Sequence, residues 1–182
     1  MSIGSRRKSV SSGKLATEAA ERAPRPRGVL LAHARVRVGD LERSIEFYSR
    51  FLGLRVTERV GRAFAFLACT AAHHQVALQA GARRSTRATP GTGTVDHLAF
   101  EVRSLRDFLR VYRSVRAAGI EISPADNGIS WALYFDDPDG TRLEVYLDRR
   151  RQRGGRTLWG GKVRPLSERR LASAASRAGR PR

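Results

Sequence analysis

Cysteine occurs once, at Cys69, which excludes an internal disulfide and any metal site built from several thiolates. No apolar run is long enough to cross a bilayer: the longest lies near residues 63–72, far short of the roughly 20 residues a membrane helix needs. The first segment lacks an apolar stretch of its own and contains Glu18 and Glu21, which argues against a secretory signal. A reducing, cytoplasmic location without a membrane span is the expectation. Acidic residues are scarce too, 17 Asp and Glu against 35 Lys and Arg, for a net charge of +18. The shortage is uneven. Residues 1–28 carry a net +5 and residues 149–182 a net +11, so residues 29–148 keep only +2.

Both ends are rich in Arg, Ser, Ala, Gly and Pro and have few large apolar residues, so they have little with which to offset the entropy of ordering. They are expected to be flexible basic tails, disordered over residues 1–28 and 149–182. Their arginines offer weak, non-specific, salt-dependent binding to polyanions. A solvated tail that aids solubility or pads an oligomer is the simpler reading. Trp159 is the one aromatic in the second basic run, a weak stacking signal.

What is present between the tails is a duplication. His33-Ala34-Arg35-Val36-Arg37-Val38-Gly39-Asp40-Leu41 recurs 64 positions later as His97-Leu98-Ala99-Phe100-Glu101-Val102-Arg103-Ser104-Leu105. Tyr48 and Tyr112 each follow their His by fifteen residues, and Gly53 and Gly119 close the two helices. In the first unit Ala34, Val36 and Val38 alternate with His33, Arg35 and Arg37, as in a strand with one apolar face. Asp40 is placed to cap a helix with Leu41, Ile45, Tyr48 and Leu52 on one side. Leu54–Val60, Phe64–Ala68 and Gln75–Leu78 read as three more strands. The second unit repeats this order, with Ser104 and Asp107 as a capping box and strands at Ile120–Ile122, Trp131–Phe135 and Leu143–Leu147. Asp137-Pro138-Asp139-Gly140 is a tight turn. The predicted fold is α+β: paired βαβββ modules over residues 29–80 and 94–148, joined by a linker at residues 81–93.

Strand alternation puts Glu144, with Tyr146, on the same non-helical face as His33 and His97. Two imidazoles and a carboxylate on a concave sheet match the donor set of a divalent metal site with positions left open for substrate. A lone His or Glu on a strand is more often structural, but the two histidines occupy equivalent places in the repeat.

From Leu31 to Asp148 the chain resembles the vicinal oxygen chelate superfamily of glyoxalases, bleomycin-resistance proteins and extradiol dioxygenases. It is most similar to the type I, catechol 2,3-dioxygenase-like branch. The resemblance rests on the His33–Tyr48 stretch, Ala72-His73-His74-Gln75-Val76-Ala77-Leu78, Asp96-His97-Leu98-Ala99-Phe100 and Tyr134 to Glu144. It implies that the paired modules form an open, metal-centred barrel, with His33, His97 and Glu144 as ligands to Fe(II) and Mn(II) as the variant metal. It also implies His74 as acid/base and Tyr134 as hydrogen-bond donor to a small aromatic diol that reacts with O2 in a homo-oligomer. Phe64, Phe66, Trp131 and Tyr146 are the candidate pocket wall, with His73 and Asn127 as further substrate-binding candidates. Strand parity favours His73 over His74 on the polar face. Asn127 stands where many relatives have His; its amide can donate a hydrogen bond but cannot carry a proton near neutral pH. Two other readings remain: a metal-dependent isomerase or resistance transferase, and a non-catalytic protein that sequesters a flat ligand.

Overall fold

The structure, a computed structural model, describes residues 30–81, 95–152 and 154–178. Residues Met1–Ala32 and His33–Arg182 are separate units; in the first, residues 30–32 have no regular structure and Leu30 and Leu31 are exposed. The expected N-terminal tail and most of the linker lie outside the described residues.

The second unit opens with strand β1 (Ala34–Val38), helix α1 (Leu41–Leu52) and strands β2 (Arg55–Val60), β3 (Phe64–Ala68) and β4 (Val76–Ala80). They form one sheet in the order β1-β4-β3-β2, with β1 parallel to β4. The order then repeats: β5 (Leu98–Glu101), α2 (Leu105–Ala117), β6 (Ser123–Asp126), β7 (Ser130–Asp136) and β8 (Arg142–Asp148). This second sheet runs β5-β8-β7-β6-β9, its outer member being the two-residue β9 (Arg164–Pro165). The α+β class and the paired βαβββ modules are as expected. Among the described residues the two sheets share no strand pairing and close no barrel.

Local chemistry explains both helices. The Asp40 carboxylate accepts the Arg43 N–H at 3.1 Å, and α1 ends where Gly53 turns left-handed at φ 68° and its N–H reaches Ser49. Ser104 caps α2 in the same way through the Asp107 N–H. The buried stripes, Leu41, Phe47, Tyr48 and Phe51 on α1 and Phe108, Leu109, Val111 and Val115 on α2, enter a single core with the inner faces of both sheets. Each large side chain so buried contributes about 1.5–3 kcal/mol.

The Asp137–Gly140 turn of the second module docks on α1 of the first. Asp139 accepts from the Gly39 N–H (3.1 Å), Arg43 (3.1 Å) and the Ser44 hydroxyl (3.2 Å). Tyr48 donates to Asp137 at 3.0 Å, and the other oxygen of Asp137 takes the N–H groups of Asp139 and Thr141. Helices and turn therefore lie together inside, and the opposite face of each sheet stays open.

Two expectations need correction. The strand predicted at Ile120–Ile122 begins instead at Ser123, because the Ile120 N–H still bonds to Val115 and the two isoleucines pack against the core as the helix exits. The C-terminal stretch expected to be disordered instead forms β9 and helix α3 (Glu168–Ala178), with Leu166, Leu171 and Ala174 buried in the main core. Its average composition is polar, but its apolar residues recur at helical spacing. Among the described residues, no helix is long and apolar enough to cross a membrane.

Candidate active site

In β8, Leu143, Val145 and Leu147 point to the helices, which leaves Glu144, Tyr146 and Asp148 on the open face. His97, just ahead of the parallel neighbour β5, places Nε2 3.0 Å from Glu144 Oε2. Its Nδ1 lies 2.7 Å from Asp96 Oδ2. A carboxylate behind an imidazole fixes the ring and its tautomer, as in metal sites. Tyr134, paired directly with Glu144 across the β7–β8 ladder, donates to Glu144 Oε1 at 3.0 Å. The Asn127 amide reaches Tyr134 at 3.5 Å and the Ser130 hydroxyl at 3.4 Å. Burial, together with the facing Glu144, pushes the Tyr134 phenol above its usual range, so it holds its proton.

Of this group, Asn127, Ser130, Tyr134 and Glu144 line a cleft of about 440 Å³, within the roughly 300–1,000 Å³ common for small-molecule sites. Tyr146 lines it and donates to Glu101 at 3.3 Å; burial and then Glu101 raise its phenol as well. Ile129, Asp148, Arg150, Trp159 and Val163 complete the wall and were not singled out as site residues in the sequence. Trp159 carried a weak signal, as an aromatic among arginines, and Arg150 one only as part of a basic run. Arg150 grips Asp148 through both carboxylate oxygens and holds that carboxyl down to about 2.

Trp131, expected in the pocket wall, is placed elsewhere. It shares the helix-facing side of β7 with Leu133 and Phe135, packs on Phe108 at 6.3 Å and lies under the Arg149 (4.3 Å) and Arg170 (5.5 Å) guanidiniums. Strand alternation puts it on the face opposite Tyr134.

The remaining candidates meet on the open face of the first sheet. The His33 ring is 4.3 Å from that of His74, which is 4.9 Å from Phe66; Phe66 stacks near Phe64 at 6.5 Å. Loss of hydration there, followed by the neighbouring His33 and His73, pushes the His74 imidazole below its usual value. His73 shares a 2.7 Å Nδ1–Nδ1 contact with His74 and turns Nε2 to Glu58 at 2.8 Å. Regular β4 starts only at Val76, after a bend, so parity counted along the strand does not reach residue 74. His74, rather than His73, is therefore the histidine beside His33.

The structure thus makes two clusters, Asp96-His97-Glu144-Tyr134 and His33-His74-Phe66. Among the described residues, no three His, Cys, Asp or Glu side chains converge to hold a metal. His97 and Glu144 fit two of the three places of such a site; the third donor is not beside them.

The Glyoxalase/Bleomycin resistance protein/Dioxygenase superfamily pattern matches residues 30–145. Two biphenyl-2,3-diol 1,2-dioxygenases of Rhodococcus globerulus are similar, at 30% identity over 64% of this chain and 62% of theirs, and at 34% over 65% and 63%. The match therefore spans less than two thirds of those relatives. Glutathione transferase FosA of Serratia marcescens is 30% identical over 64% of this chain and 79% of its own. The solved glyoxylase/bleomycin resistance protein/dioxygenase domain from Frankia sp. EAN1pec superposes with a TM-score of 0.52 at 27% identity, covering 69% of this chain and 100% of that one.

Proposed function

The chain belongs to the Glyoxalase/Bleomycin resistance protein/Dioxygenase superfamily, and from that premise we propose that it is an extradiol ring-cleaving dioxygenase acting on a catechol-type aromatic diol with O2. The observation that carries this reading is the Asp96-His97-Glu144-Tyr134 array, of which Glu144 and Tyr134 line the cleft. It offers a backed imidazole and a carboxylate for a divalent cation, with a phenol donor alongside. The similarity to two aromatic-diol dioxygenases supports the choice of substrate class.

Fe(II), or Mn(II) in its place, would be held by His97 and Glu144, with His33 of a second copy of the chain as third ligand. The open face bearing His33 is a separate surface in one chain, so a homo-oligomer is what completes the set. When bound, the metal supplies Lewis acidity toward the diol oxygens and an open position for O2. The chain's own side chains do the rest. Tyr134, which keeps its proton, orients a substrate oxygen by donating to it. His74, brought in beside His33, is the group within reach to take and return a proton. Asn127 fixes orientation through its amide and moves no proton. Both atoms of O2 end in the ring-opened product, so one O2 disappears per diol. The lone thiol Cys69 suits a reducing cytoplasm.

Metal analysis of anaerobically purified protein, combined with oxygen uptake on mono- and bicyclic catechols, tests this. A yellow ring-opened product at one O2 per diol is expected. A metal-loaded protein that consumes no oxygen across the panel overturns it in favour of a transferase, the reading that the FosA similarity supports.

A further inference from the structure

The family match stops at residue 145, and the Frankia domain is covered in full by 69% of this chain, so the segment after β8 is an addition to the shared fold. It is tied down along the β6–β7 hairpin. The Arg149 N–H bonds to Ile129 O at 2.8 Å, Arg156 N–H to Gly128 O at 3.1 Å and Leu166 N–H to Pro124 O at 3.2 Å. Between the last two, β9 pairs with β6 through Arg164 and Asp126. Gly128 is needed for the approach: it adopts φ +77°, and a Cβ there would come within 2.9 Å of Arg156 Cδ. Two successive left-handed glycines, Gly160 and Gly161, then turn the chain between Trp159 and Val163. Both side chains border the cleft that holds Tyr134 and Glu144.

Of the described strap residues, Trp159, Val163 and Arg150 line the cleft, and the first two are apolar. Ile129 of the β6–β7 hairpin adds a third apolar side chain to that wall. Among the described residues lining the cleft the cation is Arg150, which is occupied by Asp148 through three hydrogen bonds of 2.6–3.1 Å. An acidic substituent would have to break that pair. We propose that the strap formed by residues 149–152 and 154–163 is a specificity element that selects diols bearing an uncharged aromatic or aliphatic substituent, with Trp159 as the surface on which the substituent packs. The inference rests on the ring-cleavage reading for the diol itself, while the role of the strap is this chain's own.

The test is anaerobic calorimetric binding of catechol, 3-phenylcatechol and 3,4-dihydroxybenzoate to the metal-loaded protein, with wild type, W159A and W159F compared. Trp159 is 49% exposed, so its replacement spares the core. Wild type should prefer the phenyl-substituted diol over the other two. W159A should cut that preference about tenfold, the size of one lost aromatic contact, and W159F should restore most of it. Equal weakening of all three ligands in W159A, an unaltered preference, a carboxylated diol bound as tightly as the phenyl one, or no binding of any diol would each overturn the proposal. Oxygen uptake is read separately: binding selectivity that depends on Trp159 without any ring cleavage would sink the enzymatic reading and leave the strap's role standing.

Discussion

Glu144 is the residue on which the candidate site turns, since it is held from one side by Tyr134 and from the other by His97. Replacing it or His97 with Ala should remove most bound metal, because a site with three protein ligands has none to spare; elemental analysis of the variants reads this directly. Tyr134→Phe should keep the metal and lower kcat by about tenfold, as one hydrogen bond near the reacting atoms is lost. A different residue, Asp137, ties pH to stability. Its carboxyl is raised chiefly by burial, against the hydrogen bonds from Thr141 and Tyr48. The folded protein therefore holds this proton more tightly than the unfolded chain does. The resulting stabilisation is complete below the ordinary carboxylate value and is lost as pH rises through the raised one. Asp137→Asn, which retains an oxygen for the two backbone donors, should flatten that part of a denaturation-midpoint profile against pH. Tyr48→Phe should cost about 1–3 kcal/mol, and more above the Asp137 transition than below it, because the orphaned partner is then a buried carboxylate.

At the scale of elements, the helix at the C-terminus is the departure from expectation. Leu171 is 2% exposed on α3 and belongs to the same core as Val115 and Leu109 of α2. Leu171→Ala should then destabilise the whole unit by about 2–4 kcal/mol, read as a shift in the urea midpoint at unchanged slope. If the stretch were a solvated tail, the change would be near zero. Arg116–Glu168 and Arg170–Asp126 also join α3 to α2 and β6, but as exposed or half-exposed pairs they add little beside the apolar contacts.

For the whole molecule, the arrangement of modules decides where a metal can be bound. The inner core and the Asp137–Gly140 turn hold the two modules together by their helical sides, so the histidine face of one sheet and the His97–Glu144 face of the other are left as separate surfaces. A second copy bringing its His33 to this chain's Glu144 would complete the donor set. Mixing His33→Ala with Glu144→Ala should then restore metal and activity to a fraction of the sites, because a hybrid pair contains one site carrying both defects and one carrying neither. Ligands drawn from a single chain would give no recovery on mixing.

The repeat, the alternation of its strands and its caps were legible by eye because they depend on neighbours in the chain. Asp40 and Ser104 cap where expected, and alternation alone placed Glu144 beside Tyr146 and away from Leu143. The pairing of Asp96 with His97 is local in the same way. Other features depend on distant residues. Trp131 faces the helices because β7 alternates against a core supplied by α2, which a list of aromatics cannot reveal. His74 lies against His33 because a bend precedes β4 and breaks the parity count. The arginine-rich C-terminus looked too polar to fold by itself, and by itself it has little to bury. It gains order only from a surface already made by α2 and the β6–β7 hairpin, and only there does Trp159 acquire a cleft to line. Local hydrogen bonding and side-chain period thus determined the elements and their faces, while docking of distant surfaces, with the entropy cost of ordering offset only by that burial, decided which faces came together.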